Sequence, residues 1–253
     1  SETFVRWFAA LAAGFAQNGA QVSAALAALT EKVFVTSRLF AGYSGALDAG
    51  VLARLIAALP QGAPGATAAH KRYDAAACAV EIPADVGFCA LGHNLYALGS
   101  SYSGACPVLS SLVSYGYLWN MVRVQGGAYG TGMNVRRSGD IFCYSYRDPN
   151  LDNTRAVFSA VADFIEDFAA QGMPLDDIII GAVNTTDPLL DPAGVCESQC
   201  VRALKGVTPE ELAKTRHELL ATKPADLAAM AGVLRKYARE GKFCTFSGAN
   251  GGA

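Results

Sequence analysis

The 253-residue sequence has little charge, and neither sign is concentrated anywhere along it. Aspartate, glutamate, lysine and arginine together make up 17% of the residues, and the net charge at pH 7 is -2. No run of lysine or arginine occurs. Binding to nucleic acid requires a concentrated basic surface. The sequence therefore gives no support to a nucleic-acid partner.

A long apolar run is also absent. The most apolar stretch, residues 4–16, contains Arg6 and is followed by Gln17 and Asn18. It falls short of the ~20 residues that a helix needs to span a bilayer. We interpret it as a helix and predict no membrane association. The stretch has some likeness to the apolar part of a secretory signal, but a chain that begins at Ser1 indicates a cut or processed fragment.

The cysteines lack the spacing of a disulfide framework. An odd number of them in a chain of this length is typical of reduced thiols in a cytosol-like compartment, or in an organellar matrix if the source is eukaryotic. Two of them, four residues apart on a predicted helix, could form half a metal site, but no nearby Cys or His completes four ligands. We interpret that pair as core thiols. The seven are Cys78, Cys89, Cys106, Cys143, Cys196, Cys200 and Cys244.

Motifs of stand-alone enzymes are missing. The three histidines, His70, His93 and His217, are far apart, and neither HxxEH nor HExxH occurs. The stretch that begins at His217-Glu218 lacks a second histidine, so we predict no metal site in this chain. The sequence also lacks GxSxG, the P-loop pattern and GxGxxG. A thiol enzyme remains an alternative, and a depressed thiol pKa in a cleft would support it.

Hydrophobic periodicity predicts an α+β fold. The predicted architecture is an antiparallel sheet with helices on one side and its other face toward a cavity or partner. At 52% hydrophobic residues, the composition suggests faces that pack against other modules, although much of the excess is alanine. Helices are predicted over 9–29, 47–59, 107–123, from Asp148-Pro149 to Gly172, from a capping box at Thr208, and up to Gly241. Strands are predicted over 33–43, over 75–82 and 86–95 around a turn at 83–85, in a hairpin turning at Ser138-Gly139, and at an edge over 243–247.

The most informative stretch is residues 115–149. A helix ends near Arg123, a glycine-rich turn surrounds Tyr129, and an antiparallel hairpin follows. Taken alone, Arg123 is interpreted as a cation at a helix C-terminus, worth ~0.3–1 kcal/mol through the helix dipole. Tyr129 is then a core or edge aromatic. Asp148 is expected to cap the next helix, and Arg147 to pair with it or with a neighbouring acid.

This stretch resembles the presequence-protease branch of the pitrilysin/insulinase zinc metallopeptidases. The resemblance rests on a helix ending in Arg123, the sequence GGAYG over 126–130, and a hairpin ending SYRDPN over 145–150. It extends more weakly from about Val33 to Gly248. It implies that residues 1–32 are a helical lead-in from a preceding module and that 33–253 form a C-terminal metallopeptidase-like α+β module of the LuxS/MPP-like type.

The resemblance also implies a function. In the family, zinc is held by an HxxEH helix of the N-terminal half, and the two halves close around a peptide. It assigns Arg123 and Tyr129 to the bound peptide and the reacting carbonyl, and Gly126, Gly127 and Ala128 to peptide binding. The expected partners are an N-terminal zinc-binding half of the same polypeptide and unstructured peptide substrates. The chain alone is expected to be inactive.

Two departures from the family pattern concern the hairpin. Thr131 stands where another glycine is expected, and Arg136-Arg137 make the hairpin tip basic. Neither changes the Arg123 and Tyr129 pair, so they bear on loop shape and peptide preference. A non-catalytic scaffold protein of the same fold is the main alternative function.

Overall fold

The computed structural model describes residues 2–62 and 76–248, which form two compact units. The described residues of the first unit are 2–62 and 190–206, and those of the second are 76–189 and 207–248. The helices are α1 Glu2–Ala13, α2 Phe15–Val33, α3 Ala49–Ala58, α4 Ala105–Ser111, a π-helix Leu112–Gln125, α5 Leu151–Ser159, α6 Val161–Ala170, α7 Asp176–Thr186, α8 Pro192–Leu204, α9 Pro209–Ala221, α10 Pro224–Ala228 and α11 Ala231–Glu240. The strands are β1 Cys78–Glu81, β2 Gly87–Asn94, β3 Gly130–Val135, β4 Asp140–Asp148 and β5 Lys242–Ser247.

The first unit is helical in its described part. The helices predicted over 9–29 and 47–59 are present, with a break at Gly14 between α1 and α2 and with Asp48 capping α3. The strand predicted over 33–43 is wrong. There α2 continues to Val33, and a short 3₁₀ turn over Thr36–Arg38 follows. A strand needs a hydrogen-bonded neighbour, and the described residues of this unit contain no strand that could supply one.

Cys196 and Cys200 lie on α8 and are half-buried. Both thiols face the backbone of Gly42, where a Cβ atom would lie 3.3 Å from the Cys196 Sγ and would overlap the Cys200 Sγ. Across residues 2–62 and 76–248, no group of three or more His, Cys, Asp and Glu side chains is placed to hold a metal ion. His70 lies outside the described residues.

The second unit is built on a mixed sheet of strand order β1-β5-β2-β4-β3, which confirms the α+β class. β5 pairs in parallel with β1 and antiparallel with β2. Residues 243–247 were predicted as an edge strand, and this is wrong because β5 lies inside the sheet. The two strands predicted on either side of the 83–85 turn are present, but they do not pair with each other, since β5 lies between them.

The core lies between one face of this sheet and the helices. Strand residues alternate between faces, so Leu91, Met133 and Cys143 are buried on the helix side. The register places aromatic side chains on the opposite face, where they are half-buried or exposed. These are Phe88, Phe142, Tyr144, Tyr146 and Phe246.

Tyr237 of α11 ties the centre of the sheet to the helical layer. Its ring is fully buried, its O–H donates to the Leu91 carbonyl at 2.7 Å, and its oxygen accepts from the Cys143 N–H at 2.9 Å. We expect Tyr237→Phe to lower the free energy of unfolding by about 2 kcal/mol, because a buried N–H and a buried carbonyl lose their partner. Urea unfolding measures this. An unchanged midpoint would show that the two strands re-pair without the phenol.

The helix predicted to begin at Asp148 is two helices, α5 and α6, that meet at Ala160. The expected capping role of Asp148 is wrong, because the side chain of Asn150 is the N-cap. The Asp148 carboxylate is buried, and it accepts hydrogen bonds from Ser145 Oγ, Thr154 Oγ1 and the Asn150 N–H, at 2.6, 2.6 and 2.8 Å. The predicted capping box at Thr208 and Glu211 is confirmed.

Candidate functional site

Arg123 lies near the end of the helix formed by α4 and the π-helix. A continued α-helix would place Tyr115 and Trp119, three and seven residues after the buried Leu112, on the same apolar side. Those two side chains are instead 70% and 41% exposed. A π-helix has i→i+5 hydrogen bonds, which add a residue to each turn. The buried side therefore continues from Val113 to Leu118, five residues later, and both aromatic side chains are left on the outer side.

The same helix is attached to β3, the strand at one edge of the sheet. Ser114 Oγ accepts from the Met133 N–H at 2.9 Å, and Ser110 Oγ accepts from the Val135 N–H at 3.0 Å. Unpaired N–H groups at a sheet edge can otherwise pair with another chain. The two serines satisfy these groups and fix the distance between helix and hairpin.

A groove of about 450 Å³ lies between the helix and the hairpin. Its lining contains aromatic, cationic and hydroxyl side chains. The aromatic and cationic residues are Tyr115, Trp119, Arg123, Tyr129, Tyr144 and Tyr146, and the aliphatic hydroxyl groups are those of Ser110, Ser111, Ser114, Thr131, Thr185 and Thr186. Both residues assigned to catalysis from the sequence are in this lining.

The Arg123 guanidinium stacks on Trp119. Its Cζ lies 3.8 Å from the centroid of the indole ring. A planar guanidinium that stacks through its face keeps the N–H groups at its edge available for hydrogen bonds. Stacking also limits the rotamers of a long side chain, so Arg123 presents its donors to the groove at a small cost in conformational entropy.

Tyr129 is 60% exposed and is held by two aromatic-face contacts. Its ring centroid lies 5.5 Å from that of Tyr146, with an interplanar angle of 59°. The guanidinium carbon of Arg147 lies 5.4 Å from the centre of the Tyr129 ring. The phenol is thus accessible from the groove while its ring is supported on the protein side.

The turn over 126–128 connects the two residues. Gly127 has φ of +83°, a region that favours glycine. A Cβ at Gly126 would lie 2.6 Å from the Val122 carbonyl oxygen. Ala128 is buried and donates its N–H to that same carbonyl at 3.1 Å. Gly127 and Ala128 also line a shallow hollow beside Arg123 and Tyr129, whereas Gly126 does not.

Small residues on β3 make room for the tyrosines of β4. Gly130 is paired with Tyr146, and Gly132 with Tyr144. A Cβ at Gly130 would overlap the Tyr146 ring, and one at Gly132 would lie 2.9 Å from the Tyr144 hydroxyl oxygen. Neither Tyr144 nor Tyr146 was predicted as a site residue. Alternating glycines on one strand opposite alternating tyrosines on the next were the available signal.

Arg147 is a further residue of the site that sequence reasoning missed. It was expected to pair with Asp148 or a neighbouring acid, but no ion pair of Arg147 is present within residues 2–62 and 76–248, and its guanidinium lies over Tyr129 instead. Asp148 is buried and satisfied by neutral donors. The Arg147 guanidinium therefore faces Tyr129, whereas the Asp148 carboxylate lies in the buried interior.

The three buried thiols give no support to a cysteine-dependent enzyme. Burial raises the pKa of the Cys89 thiol to about 11 and that of Cys143 to about 12, and it also raises the pKa of Cys106. A nucleophilic cysteine needs a lowered pKa. These three thiols are packing groups of the core.

None of the helices in the described ranges is both long enough and apolar enough to cross a membrane.

His93 and His217 both lie in the second unit, on β2 and α9. The His93 Nδ1 accepts from the Asn94 N–H at 2.7 Å.

Comparison with known proteins identifies a protein family and related sequences for this chain. A family model described as "PreP C-terminal domain" matches residues 78–245. The chain is similar to Protein HypA of Clostridium perfringens, with 32% identity over 63% of the chain and 16% of the relative. It is similar to Presequence protease 1, chloroplastic/mitochondrial, of Arabidopsis thaliana, with 35% identity over 58% of the chain and 14% of the relative. The chain thus spans about a sixth of the length of these curated relatives.

Solved structures show the same fold at low sequence identity. The structure of a peptidase M16 inactive domain from Pseudomonas fluorescens aligns with a TM-score of 0.54 and 13% identity, over 79% of this chain and 50% of that one. A protease from Helicobacter pylori aligns with a TM-score of 0.53 and 14% identity, over 81% and 53%.

Proposed function

Because the chain belongs to the family of PreP C-terminal domains, we propose that it is the non-zinc-binding C-terminal module of a zinc metalloendopeptidase that degrades unstructured peptides. The observation that carries the proposal is the position of Arg123 and Tyr129, which are six positions apart in the sequence and line one groove. The groove is open to solvent, so an extended peptide can enter it.

The two side chains suit the chemistry of peptide hydrolysis. Attack on an amide carbonyl places negative charge on its oxygen, and fixed donors that face this oxygen stabilise the transition state. The Tyr129 phenol supplies one O–H donor, and the Arg123 guanidinium supplies several N–H donors in a plane. We assign Tyr129 to the oxyanion and Arg123 to carbonyl groups of the bound peptide, with Gly127 and Ala128 lining the peptide path. Gly126 supports the turn.

The metal belongs to a partner in this proposal. The described residues of this chain offer no ligand set for zinc. Zinc and the activation of water are therefore assigned to an N-terminal half of the same polypeptide, and the present chain contributes binding and orientation. We propose a reducing compartment for it. We also propose that residues 1–32 are a helical lead-in and that residues 33–253 form the module.

Peptide binding to the chain alone tests the groove directly. The sequence has two tryptophans, Trp7 and Trp119, and the second lies beneath Arg123. In a Trp7→Phe variant, Trp119 is the only indole and reports on the groove. An unstructured peptide is expected to change its emission saturably, without being cleaved. No change at millimolar peptide would contradict binding at this site.

Hydrolysis tests the assembled enzyme. An internally quenched peptide is mixed with the chain, with a separately produced zinc-binding half, and with both, and zinc is assayed in each sample. We expect zinc in the N-terminal half and cleavage only in the mixture. Cleavage and stoichiometric zinc in the chain alone would overturn the proposal. Binding of the two halves without any cleavage would instead support the scaffold alternative.

A further inference from the structure

The backbone of Arg147 has a conformation that is unusual for its residue type. Its φ is 51°, and it is the one non-glycine residue with positive φ in the part of the chain that the structure describes. L-residues with a side chain rarely adopt this conformation, and such outliers concentrate at functional sites. Glycine occupies the other positive-φ positions of the described chain, including Gly127 and Gly139.

The conformation arises from a bulge in the sheet. Gly87 of β2 pairs with Asp148 of β4, and the next residue, Phe88, pairs with Tyr146, so Arg147 has no partner across the strands. A bulge redirects the side chain of the extra residue. The buried Asp148, with its three hydrogen bonds, fixes the strand on the far side of the bulge. Arg147 is thereby pointed away from the ladder and toward Tyr129.

Arg147 contacts Tyr129 in two ways. Its carbonyl oxygen accepts the Tyr129 N–H at 3.2 Å, and its guanidinium lies over the phenol ring at 5.4 Å. Tyr129 is mostly exposed, so few other groups restrict its rotamer. The Tyr146 ring supports it on a second side. A cation above an aromatic face is attracted to the ring quadrupole, which favours the rotamer in which the two side chains remain in contact.

We propose that Arg147 is a positioning residue that holds the Tyr129 phenol in the groove. The inference rests on the proposed function, since it assigns Arg147 a role through Tyr129. The strained backbone is retained because glycine, which would fit the bulge without strain, lacks the guanidinium. We therefore expect that replacement of Arg147 by glycine leaves the stability of the chain equal or higher and lowers the activity of the assembled enzyme.

The experiment compares Arg147→Gly and Arg147→Lys in the assembled enzyme, with an internally quenched unstructured peptide as substrate. Arg147→Gly is expected to lower kcat by about tenfold with little change in KM, because a misplaced donor loses orientation more than binding. Its thermal midpoint in the isolated chain is expected to be equal or higher, since a strained position becomes unstrained. Arg147→Lys keeps the charge and is expected to recover part of the loss in kcat.

Arg155→Ala is the control. The Arg155 guanidinium also lies over an aromatic ring, 5.1 Å from the centre of the Phe243 ring, and Arg155 does not line the groove. The variant removes the same charge and the same type of contact, and it is expected to leave kcat unchanged. An equal loss in Arg155→Ala and Arg147→Gly would mean that the net charge of the chain matters, and would overturn the inference.

Combination with Tyr129→Phe separates the inference from the function on which it rests. If Arg147 acts through the phenol, Arg147→Gly costs nothing further in a Tyr129→Phe background. A loss in Tyr129→Phe with full activity in Arg147→Gly would refute the positioning role alone. Full activity in Tyr129→Phe would refute the proposed role of the site itself. A lower thermal midpoint in Arg147→Gly would identify a structural residue and refute the positioning role.

Discussion

Tyr129→Phe is expected to lower kcat/KM for peptide hydrolysis by the assembled enzyme about 10²-fold, the usual effect of removing one oxyanion donor. The substitution removes only the hydroxyl group, and the ring contacts with Tyr146 and Arg147 remain. Arg123→Ala is expected to cost about as much, because its N–H donors are lost from the same groove. Steady-state kinetics with a quenched peptide measures both losses.

Tyr115→Phe is the control for this prediction. Tyr115 lines the same groove and is 70% exposed, but it belongs to the outer side of the π-helix rather than to the turn that carries Tyr129. Its hydroxyl is expected to be dispensable. Zinc content and the thermal midpoint should be the same in all three variants. A loss in Tyr115→Phe as large as that in Tyr129→Phe would show that the groove depends on its hydroxyl groups in general, and the assignment of Tyr129 to the oxyanion would fail.

Gly104→Ala is expected to lower the free energy of unfolding by about 3 kcal/mol, at the upper end of the usual cost of overpacking. Gly104 immediately precedes α4 and donates its N–H to Glu218 Oε2 at 2.8 Å. An added Cβ would overlap the backbone at Leu219 N and Thr215 O and would lie 2.6 Å from the Glu218 Cβ. Backbone atoms of α9 cannot rotate out of the way as the end of a side chain can, so the helices must separate.

Gly232→Ala is the matched control for the stability measurement. It makes the same chemical change in α11, at a position where an added Cβ meets nothing within 4 Å. Alanine is the better helix former, so a gain of about 0.5 kcal/mol is expected. Urea unfolding of both variants compares the expected loss of stability in Gly104→Ala with the expected gain in Gly232→Ala. A Gly104→Ala chain as stable as the unsubstituted one would mean that α4 and α9 can move apart at little cost.

Much of the local structure was predictable because it depends on neighbouring residues. The capping box at Thr208, the turn at Ser138-Gly139 and the helix that ends near Arg123 follow from short-range rules, and the structure has all three. The spacing of Arg123 and Tyr129 and the sequence around them were enough to indicate the family.

Other features were not predictable from short-range patterns. The π-helix has more residues per turn than an α-helix, so Tyr115 and Trp119 lie outside its buried side. An α-helical period does not predict this position. The interior position of β5 depends on pairing with β2, a strand about 150 residues earlier in the sequence. Nothing near residue 243 specifies that neighbour. The error over 33–43 has a similar origin, since alternation alone does not supply a partner strand.

The sequence by itself determined the family, the order of most elements and the absence of a zinc motif in this chain, and it predicted Arg123 and Tyr129 as site residues. These depend on residue identities and on spacings within a few turns. Tertiary structure alone decided which residues surround that pair. Trp119 lies under Arg123, and Arg147 lies over Tyr129 at a bulge whose far side is fixed by a buried carboxylate. Such contacts follow from strand register and helix winding, and the free energies that set these arise from packing across the whole sheet.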